Sequence, residues 1–219
     1  MIFLAARIHQ GGSSLSIYGE YYPTLKYIQD YLIKHIELYA DTTREETGEA
    51  AFEHLITRIK SEDSMREKCE RKGIEPSPQA VLQSIHDAIG IRVVCRFVDD
   101  VYETVRALWR IPFCRIKEEK DYIKDVKPNG YRSYHLILEI TLPDQGDGAY
   151  ISGTYYAEIQ LRTIAMDSWA SLEHQLKYKK QISDPEMISR ELKRCADELA
   201  SCDLTMQTIR NLIRQIGRA

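Results

Sequence analysis

Two carboxylates in the sequence stand where they could bind a metal ion. Asp87 lies just before a strand-like segment, Ile91 to Val98, and Glu158 lies in the middle of another, Thr154 to Arg162. Two carboxylates that meet at one edge of a sheet suit Mg²⁺, which takes one or two protein carboxylates and completes its shell with water and phosphate oxygens. The alternating polar face that carries Glu158 is equally typical of a solvated strand, so spacing alone does not decide between the two interpretations.

A second group of residues is basic and has helical spacing. Ser64, Lys68 and Arg71 stand at i, i+4 and i+7, so they share one face of a predicted helix. With Arg58 and Lys60 just before it, this face could bind a polyphosphate, although the glutamates interspersed with it are also typical of a solvated helix. The sequence contains neither of the two common glycine-rich phosphate-binding motifs, the P-loop and GxGxxG, so side chains would have to hold the phosphates.

The segment from Lys120 to His135 is dense in basic and aromatic residues around a Pro-Asn-Gly turn. An aromatic ring such as Tyr131 can stack on a nucleotide base, and Lys127 and His135 are close enough in sequence to reach its phosphates. A plain loop followed by a strand has a similar composition, and a lone histidine is more often structural than catalytic. The composition alone does not decide between nucleotide binding and a plain loop followed by a strand.

Helical periodicity predicts the elements that would position these residues. The predicted helices cover Leu25 to Tyr39, 62–72, a segment opened by an Asp100–Glu103 capping box, a segment with a buried stripe of Ala165, Trp169, Leu172 and Leu176, and two stretches at about 185–201 and 203–217. The helix over 62–72 is the best defined. Ser61 can cap its start, Gly73 can end it, and its charges follow the order that the helix dipole favours.

Strand periodicity is strongest in three segments. Ile91 to Val98 alternates an apolar face with a face that carries Arg92 and Arg96. Tyr134 to Leu142 and Thr154 to Arg162 flank the turn-rich residues 143–148, which predicts an antiparallel hairpin. Strands that alternate with helices and include a hairpin indicate an α+β domain with a mixed sheet, and helical arms are expected at both ends of the chain.

Composition limits the class of protein. The chain has 219 residues, of which 43% are hydrophobic and 29% charged, values typical of a globular domain and not of a disordered or membrane-spanning chain. The formal net charge of −3 argues against a protein that coats nucleic acid. The five cysteines form no CxxC pair, and the N-terminal apolar run lacks the features of an export signal, so we expect a cytoplasmic protein without a membrane anchor.

Taken together and in order, five segments resemble the synthetase domain of the RelA/SpoT family, and the length of the chain resembles its single-domain members, the small alarmone synthetases. The segments are Arg58–Lys68, Asp87–Val94, Lys120–Ile123, Lys127–His135 and Glu158–His174. The resemblance implies a nucleotidyltransferase-like α+β fold. It also implies an enzyme that transfers the β,γ-pyrophosphate of ATP to the 3′-hydroxyl of GDP or GTP, which yields ppGpp or pppGpp and AMP.

The resemblance also implies a role for each matching residue. Asp87 and Glu158 would bind Mg²⁺, with Mn²⁺ as an alternative, and Glu158 would take the proton from the acceptor hydroxyl. Arg58 and Arg92 would enclose the adenine, and the other residues of the donor site would bind the phosphates. This ATP site comprises Arg58, Lys60, Ser64, Lys68, Arg71 and Arg92. One tyrosine would stack on guanine and its neighbours would bind the rest of the acceptor; this acceptor site comprises Lys120, Lys127, Tyr131, His135 and Gln160.

The predicted organisation is one synthetase domain, with an N-terminal helical arm at 1–50, a catalytic core at 51–180 and C-terminal helices at 181–219. Only 57 residues precede Arg58, too few for the hydrolase domain of the long relatives. The resemblance implies a homo-oligomer, with a tetramer favoured, that does not require stable binding to nucleic acid. Two alternatives stay open. The same transfer could act on adenine nucleotides or the 3′ end of tRNA, as in toxin-type relatives, or the chain could be a catalytically silent nucleotide- or RNA-binding regulator.

Overall fold

A mixed β-sheet forms the centre of the fold. The computed structural model describes residues 16–144, 146, 148–177 and 184–217. Within them, the helices are α1 (Tyr22–Thr47), α2 (Glu62–Lys72), α3 (Pro78–Ser84), α4 (Val98–Leu108), α5 (Ile164–Lys177) and α6 (Pro185–Ile216). The strands are β1 (His54–Ile59), β2 (Ile89–Cys95), β3 (Cys114–Asp121), β4 (Tyr134–Leu142) and β5 (Gly153–Thr163).

The strand order is β1-β2-β5-β4-β3. β2 and β5 are parallel, and the other three neighbouring pairs are antiparallel. The predicted α+β class with a mixed sheet is therefore confirmed, and so is the predicted β4–β5 hairpin. No helix in the described part of the chain is both long enough and apolar enough to span a bilayer.

One face of the sheet belongs to the hydrophobic core. Alternate residues of the two central strands, such as Ile91 on β2 and Ile159 on β5, are fully buried. They join a cluster that includes the apolar stripe of α1, from Leu25 through Leu32 to Ile36. The intervening residues of the same strands therefore lie on the opposite face, where polar side chains are available for chemistry.

The helix predicted over 62–72 is confirmed as α2 with the same bounds. Ser61 is its N-cap and accepts a hydrogen bond from the Ser64 amide at 3.4 Å, and Gly73 follows its last residue. α1 continues past the predicted Tyr39 to Thr47. Threonine hydroxyls in its polar last turns donate to carbonyl oxygens one turn earlier, for example from Thr43 to Tyr39, and the helix ends where Gly48 adopts a left-handed φ of 73°.

The predicted capping box at Asp100 and Glu103 is wrong. α4 begins two residues earlier, at Val98, and its N-cap, Phe97, makes no side-chain cap bond. The Asp100 carboxylate instead accepts a hydrogen bond of 2.5 Å from Arg210 on α6. A long-range ion pair takes the place of the local cap, and spacing along the chain does not reveal such a pair.

Two predictions for the C-terminal helices need correction. The stripe predicted for α5 is buried at Trp169, but Leu172 and Leu176 are exposed, because only the first half of α5 packs against the sheet and α6. The two helices predicted near 185–201 and 203–217 are one continuous helix, α6. Asp203, at the predicted break, accepts a hydrogen bond of 2.6 Å from the Thr163 hydroxyl of β5 and caps no second helix.

The strands β1 and β3 have no counterpart among the predicted elements. Both lie at the edges of the sheet, and the outer part of β3 is the charged run Lys117 to Asp121. Alternation is broken in both strands, because Ile56 stands on the polar face of β1 and the charged run of β3 contains no apolar residue, so the pattern was weak. The predicted boundary between core and C-terminal helices, at residue 180, and the N-terminal apolar run lie outside the described residues, and the division into an arm and a core stays a prediction.

Candidate active site

The register of the strands places a carboxylate opposite an arginine on the polar face of the sheet. Gly90 of β2 pairs with Arg58 of β1 on one side and with Glu158 of β5 on the other. A Cβ atom at position 90 would lie 3.7 Å from Arg58 Cγ. Because Gly90 has no side chain, the Arg58 side chain can extend across it along the sheet.

A second row lies two residues further along the strands. Arg92 of β2 pairs with Gln160 of β5, Gln160 pairs with His135 of β4, and His135 pairs with Lys120 of β3. Residues that pair directly across a sheet share a face, and residues two apart along one strand share it as well. This row and the row of Glu158 are therefore on the same side. Four of the predicted nucleotide-binding residues thus lie side by side, although they come from four different strands.

Asp87 precedes β2 and is surrounded by cations. Its Oδ2 lies 3.0 Å from Lys60 Nζ and 2.5 Å from Lys68 Nζ. Burial raises the pKa of Asp87, but the hydrogen bonds from Lys68 and Lys60 outweigh it and hold the pKa below its usual value. The carboxylate is therefore ionised at neutral pH. Its second oxygen, Oδ1, is buried without a hydrogen-bond partner among the described residues.

The helix α2 delivers part of the predicted phosphate-binding group. Its buried residues, Met65 and Cys69, fix its orientation, and Lys68 reaches Asp87 from the adjacent position. Ser64 lies one turn earlier, where its hydroxyl accepts a hydrogen bond of 3.0 Å from Ser61. Arg71, one turn later, is exposed, and no described contact joins it to Asp87. The structure therefore brings Lys68 to the carboxylate and leaves Arg71 apart from it.

Both oxygens of Glu158 have partners. Oε1 lies 3.3 Å from His135 Nδ1, and Oε2 accepts a hydrogen bond of 3.0 Å from Gln160 Nε2. Burial raises the pKa of Glu158 and the nearby charge of Asp87 raises it further, but the hydrogen bonds from His135 and Gln160 bring the pKa below its usual value. An ionised, oriented carboxylate of this kind can bind a cation or accept a proton.

The two carboxylates share one cavity of about 170 Å³. It is lined by Ile56, Arg58, Lys60, Asp87, Gly90, Ile91, Arg92, Glu158 and Gln160. A larger cavity, of about 720 Å³, lies between α1, α4 and α6, but charged groups that line it are paired with one another, for example Arg214 with Glu49 and Arg210 with Asp100. We place the chemistry in the smaller cavity, because both candidate catalytic carboxylates line it.

Tyr131 follows the Pro-Asn-Gly turn and lies at the other end of the polar face. Its hydroxyl is 2.8 Å from His135 Nε2. The ring is surrounded by aromatic neighbours, with Tyr122 6.1 Å and Trp169 6.4 Å away between ring centroids, and the Lys127 ammonium lies 4.9 Å from its centroid. The structure thus brings Lys127, Tyr131 and His135 together, as the sequence predicted. Trp169, which was predicted only as part of the buried stripe of α5, adds an aromatic wall.

Lys120 is placed less centrally than predicted. It lies on β3, in register with His135, but its ammonium pairs with Glu118, and about half of its side chain is exposed. It is at the outer edge of the polar face, where it would meet only a ligand that extends past His135. The structure brings Gln160, in contrast, directly beside Glu158.

Arg162 and Asp167 also belong to the candidate site, and neither was predicted from the sequence. Arg162 Nη1 donates to Asp167 Oδ1 at 2.8 Å, and Arg92 Nη1 lies 3.2 Å from the same oxygen. The available signal was alternation, since Arg162 lies on the face of Glu158 and Gln160. Asp167 could not have been found in this way, because it lies in the first turn of the next helix, α5.

Comparison with known proteins identifies relatives of the chain. Residues 57–183 match the family described as "Region found in RelA / SpoT proteins". The GTP pyrophosphokinase YwaC of Bacillus subtilis (strain 168) is 43% identical over 150 residues, which cover 68% of this chain and 70% of YwaC. The GTP pyrophosphokinase YjbM of the same strain is 32% identical over 174 residues, which cover 80% of this chain and 79% of YjbM.

Solved structures show the same fold. The small alarmone synthetase 2 from Bacillus subtilis superposes with a TM-score of 0.73 at 37% identity, covering 86% of this chain and 95% of that chain. The small alarmone synthetase 1 from the same organism, bound to its product pppGpp, gives a TM-score of 0.75 at 28% identity, covering 88% and 95%. A further structure of small alarmone synthetase 1, bound to AMPCPP, gives 0.66 at 26% identity, covering 90% and 95%.

Proposed function

The chain belongs to the RelA/SpoT family, and we propose that it is a GTP pyrophosphokinase that transfers the β,γ-pyrophosphate of ATP to the 3′-hydroxyl of GDP or GTP. The observation that carries this proposal is the cavity in which two ionised carboxylates, Asp87 and Glu158, lie beside lysine and arginine side chains. Phosphoryl-type transfer needs mainly positioning and charge neutralisation, and this cavity offers both.

ATP would bind at the β1–β2 side of the cavity. Arg58 and Arg92 lie on the same face of neighbouring strands and two residues apart in register, so an adenine ring could lie between their guanidinium planes. The Arg92 Nε is buried without a hydrogen-bond partner among the described residues. Lys60, Lys68 and the Ser64 hydroxyl would bind the phosphates, and Arg71 would have to swing inward to contribute.

Asp87 and Glu158 would hold Mg²⁺, with Mn²⁺ as an alternative. The buried, unpartnered Asp87 Oδ1 fits a cation, because such an oxygen is costly to leave unsatisfied. The described residues offer no group of three or more His, Cys, Asp or Glu side chains for a metal, so water and phosphate oxygens would complete the shell. A bound ion of this kind neutralises phosphate charge during the transfer.

Glu158 would be the general base. It would accept the proton of the acceptor 3′-hydroxyl while that oxygen attacks the β-phosphorus of ATP, and the bond from the β-phosphorus to the bridging oxygen of AMP would break. The bonds from His135 and Gln160 keep the carboxylate ionised and oriented for this step.

The acceptor nucleotide would bind at the β4 side of the sheet. Guanine would stack on the Tyr131 ring, in the space over the ring where the Lys127 ammonium lies, and Lys127 would turn to the phosphates. His135 and Gln160 would orient the ribose and phosphates beside Glu158. Lys120 would act as a point charge at the outer edge.

The chain would function in the cytoplasm as a homo-oligomer, with a tetramer favoured. Large apolar side chains on the last turns of α6 are about half or more exposed and could be covered by another copy: Leu204, Met206, Ile209, Leu212, Ile213 and Ile216. Surfaces of this kind often mark protein interfaces.

Acceptor choice tests the proposal against its alternatives. Purified protein is incubated with Mg²⁺, ATP labelled in the γ-phosphate and, in separate reactions, GDP, GTP, an adenine nucleotide or tRNA. Label on a guanine nucleotide, together with AMP, supports the proposal. Label only on an adenine nucleotide or tRNA would replace the proposed acceptor, and no transfer to any of them would overturn the enzymatic function in favour of a silent regulator.

A further inference from the structure

Arg162 is a buried cation that forms part of a closed ring of hydrogen-bonded side chains. Its side chain is only 7% exposed. Nη2 donates to the Tyr131 hydroxyl at 2.9 Å and to Gln160 Oε1 at 3.1 Å. The Tyr131 hydroxyl contacts His135 Nε2, and the far sides of His135 and Gln160 meet the two oxygens of Glu158. Two separate hydrogen-bond paths therefore lead from one guanidinium to one carboxylate. We call them the two arms: one passes through Tyr131 and His135, and the other passes through Gln160.

With His135 neutral, the chemistry of the groups sets the direction of every bond in the ring. A guanidinium only donates, so the Tyr131 oxygen accepts from Arg162 and its own hydrogen is available to His135 Nε2. The ionised Glu158 carboxylate only accepts, so a neutral His135 carries its hydrogen on Nδ1, donates it to Glu158 Oε1 and accepts from the Tyr131 hydroxyl through Nε2. In the other arm, Gln160 accepts through Oε1 and donates through Nε2 to Glu158 Oε2. Both arms therefore end on Glu158 as donors.

Asp167 holds the guanidinium in place. Its Oδ1 accepts from Arg162 Nη1 at 2.8 Å and lies 3.2 Å from Arg92 Nη1. A buried arginine needs such a partner, because an unpaired buried charge is strongly unfavourable. Asp167 also joins the ring to Arg92, which lies on the side of the cavity where ATP would bind. One carboxylate thus connects the two halves of the site.

We propose that Arg162 is a positioning residue that fixes the base Glu158 and the acceptor-binding Tyr131 through the two arms, and that Asp167 anchors it. The mechanistic part of this inference rests on the proposed function. Arg162 does not touch the reacting atoms; it acts through Tyr131, His135 and Gln160. Its guanidinium supplies donors in several directions at once, which a lysine ammonium at the same place could not do in the same geometry.

The histidine tautomer tests the ring without any turnover. In the ¹⁵N-labelled protein, at a pH of about 8, where histidine is ordinarily neutral, two-bond ¹⁵N–¹H correlation spectra distinguish the two tautomers. The His135 signals are assigned by their loss in His135→Gln. We expect the hydrogen on Nδ1. A hydrogen on Nε2 would overturn the proposed ring, whatever the enzyme's activity.

Kinetics test the positioning role. Arg162→Lys keeps the positive charge beside Asp167 but cannot maintain both arms, so kcat should fall roughly tenfold to a hundredfold. The matched control, Arg194→Lys, changes an exposed arginine of α6 that pairs with Glu191 and Glu198, and it should retain wild-type kcat. A kcat for Arg162→Lys within twofold of wild type would contradict the proposal.

A double-mutant cycle separates positioning from a general loss of structure. Tyr131→Phe breaks one arm and keeps the aromatic side chain, so it should lower kcat on its own. Combined with Arg162→Lys, it should add less than its separate effect. Fully additive losses would contradict a shared arm.

Asp167→Asn tests the anchor. It should lower kcat and also raise KM for ATP, because Asp167 contacts Arg92; an unchanged KM for ATP would contradict the link to Arg92.

The two proposals fail in different ways. Wild-type protein that forms no product while His135 carries its hydrogen on Nδ1 would overturn the proposed function and leave the ring intact. Wild-type protein that forms the guanine product while Arg162→Lys keeps its kcat would leave the function intact and overturn the positioning role.

Discussion

At the scale of single residues, the proposed transfer depends most on Glu158. Glu158→Gln removes the basic oxygen but keeps the size and a hydrogen-bond acceptor, so turnover should fall by about 100- to 10,000-fold while the fold persists. The measurement is AMP release from ATP and GDP, together with the thermal midpoint of unfolding. Glu139→Gln is the matched control, since Glu139 lies on the same face of the sheet but pairs with Arg115 outside the cavity. Equal losses of turnover in both variants would contradict the role of Glu158.

Tyr131 carries two separable expectations. Tyr131→Ala removes the ring on which guanine would stack, and KM for GDP should rise by about tenfold, because stacking on one aromatic ring contributes about 1–3 kcal/mol. Tyr131→Phe keeps the aromatic ring and loses only the hydroxyl contacts that position it, so its KM for GDP should rise much less than in Tyr131→Ala. Steady-state kinetics with GDP varied at saturating ATP measure both. A similar rise of KM in the two variants would show that the ring face does not bind the base.

Single residues were predictable where chemistry and spacing coincide locally. Asp87, Lys60 and Lys68 could be singled out from the chain, and the structure brings them together. The link between Arg162 and Asp167 was not predictable, because it depends on how α5 leaves the end of β5. The pairing of Lys120 with Glu118, two residues away on an edge strand, was also not apparent from the motif.

At the scale of elements, strong local signals gave correct bounds for α2 and β4, but the strand predicted over Ile91 to Val98 is β2, Ile89–Cys95, because α4 already begins at Val98. α2 has the predicted bounds because Ser61 and Gly73 mark its ends, and the β4–β5 hairpin follows from its alternation and turn. The edge strands β1 and β3 were missed because Ile56 and the charged run of β3 break their alternation. Asp100 was predicted to cap α4, and Asp203 lies at the predicted break between two helices, but each binds a distant partner, and such partners are set by tertiary packing.

The packing of α6 against the Pro-Asn-Gly turn before Tyr131 gives a stability prediction. Gly130 has φ +88°, and a Cβ there would lie 2.7 Å from the Ala196 Cβ of α6. Gly130→Ala should therefore add a packing conflict of about 1–3 kcal/mol to its backbone strain and should raise KM for GDP. Gly48→Ala is the control, since Gly48 has φ +73° but nothing within 4 Å of its Cβ position. Urea unfolding measures the difference, and equal destabilisation would contradict tight packing of α6 on the turn.

At the scale of the whole molecule, the exposed apolar face of α6 is expected to lie between copies of the chain. Ile213 is 64% exposed, so Ile213→Glu should leave the protomer folded while a buried charge in the interface weakens assembly. Gln215→Glu, on another face of the same helix, is the control and should keep the wild-type mass. Sedimentation velocity at matched concentrations measures both. An unchanged oligomer in Ile213→Glu would place the interface elsewhere.

The most direct test of the central claim identifies both products of one reaction. Phosphorus NMR of the protein with ATP, Mg²⁺ and GDP should show AMP and a guanine nucleotide carrying a 3′-diphosphate, in equal amounts. That result would establish that a pyrophosphate group moves intact to the 3′-hydroxyl. Formation of ADP with orthophosphate, or of ADP with a guanine nucleotide extended at its 5′ end, would contradict it.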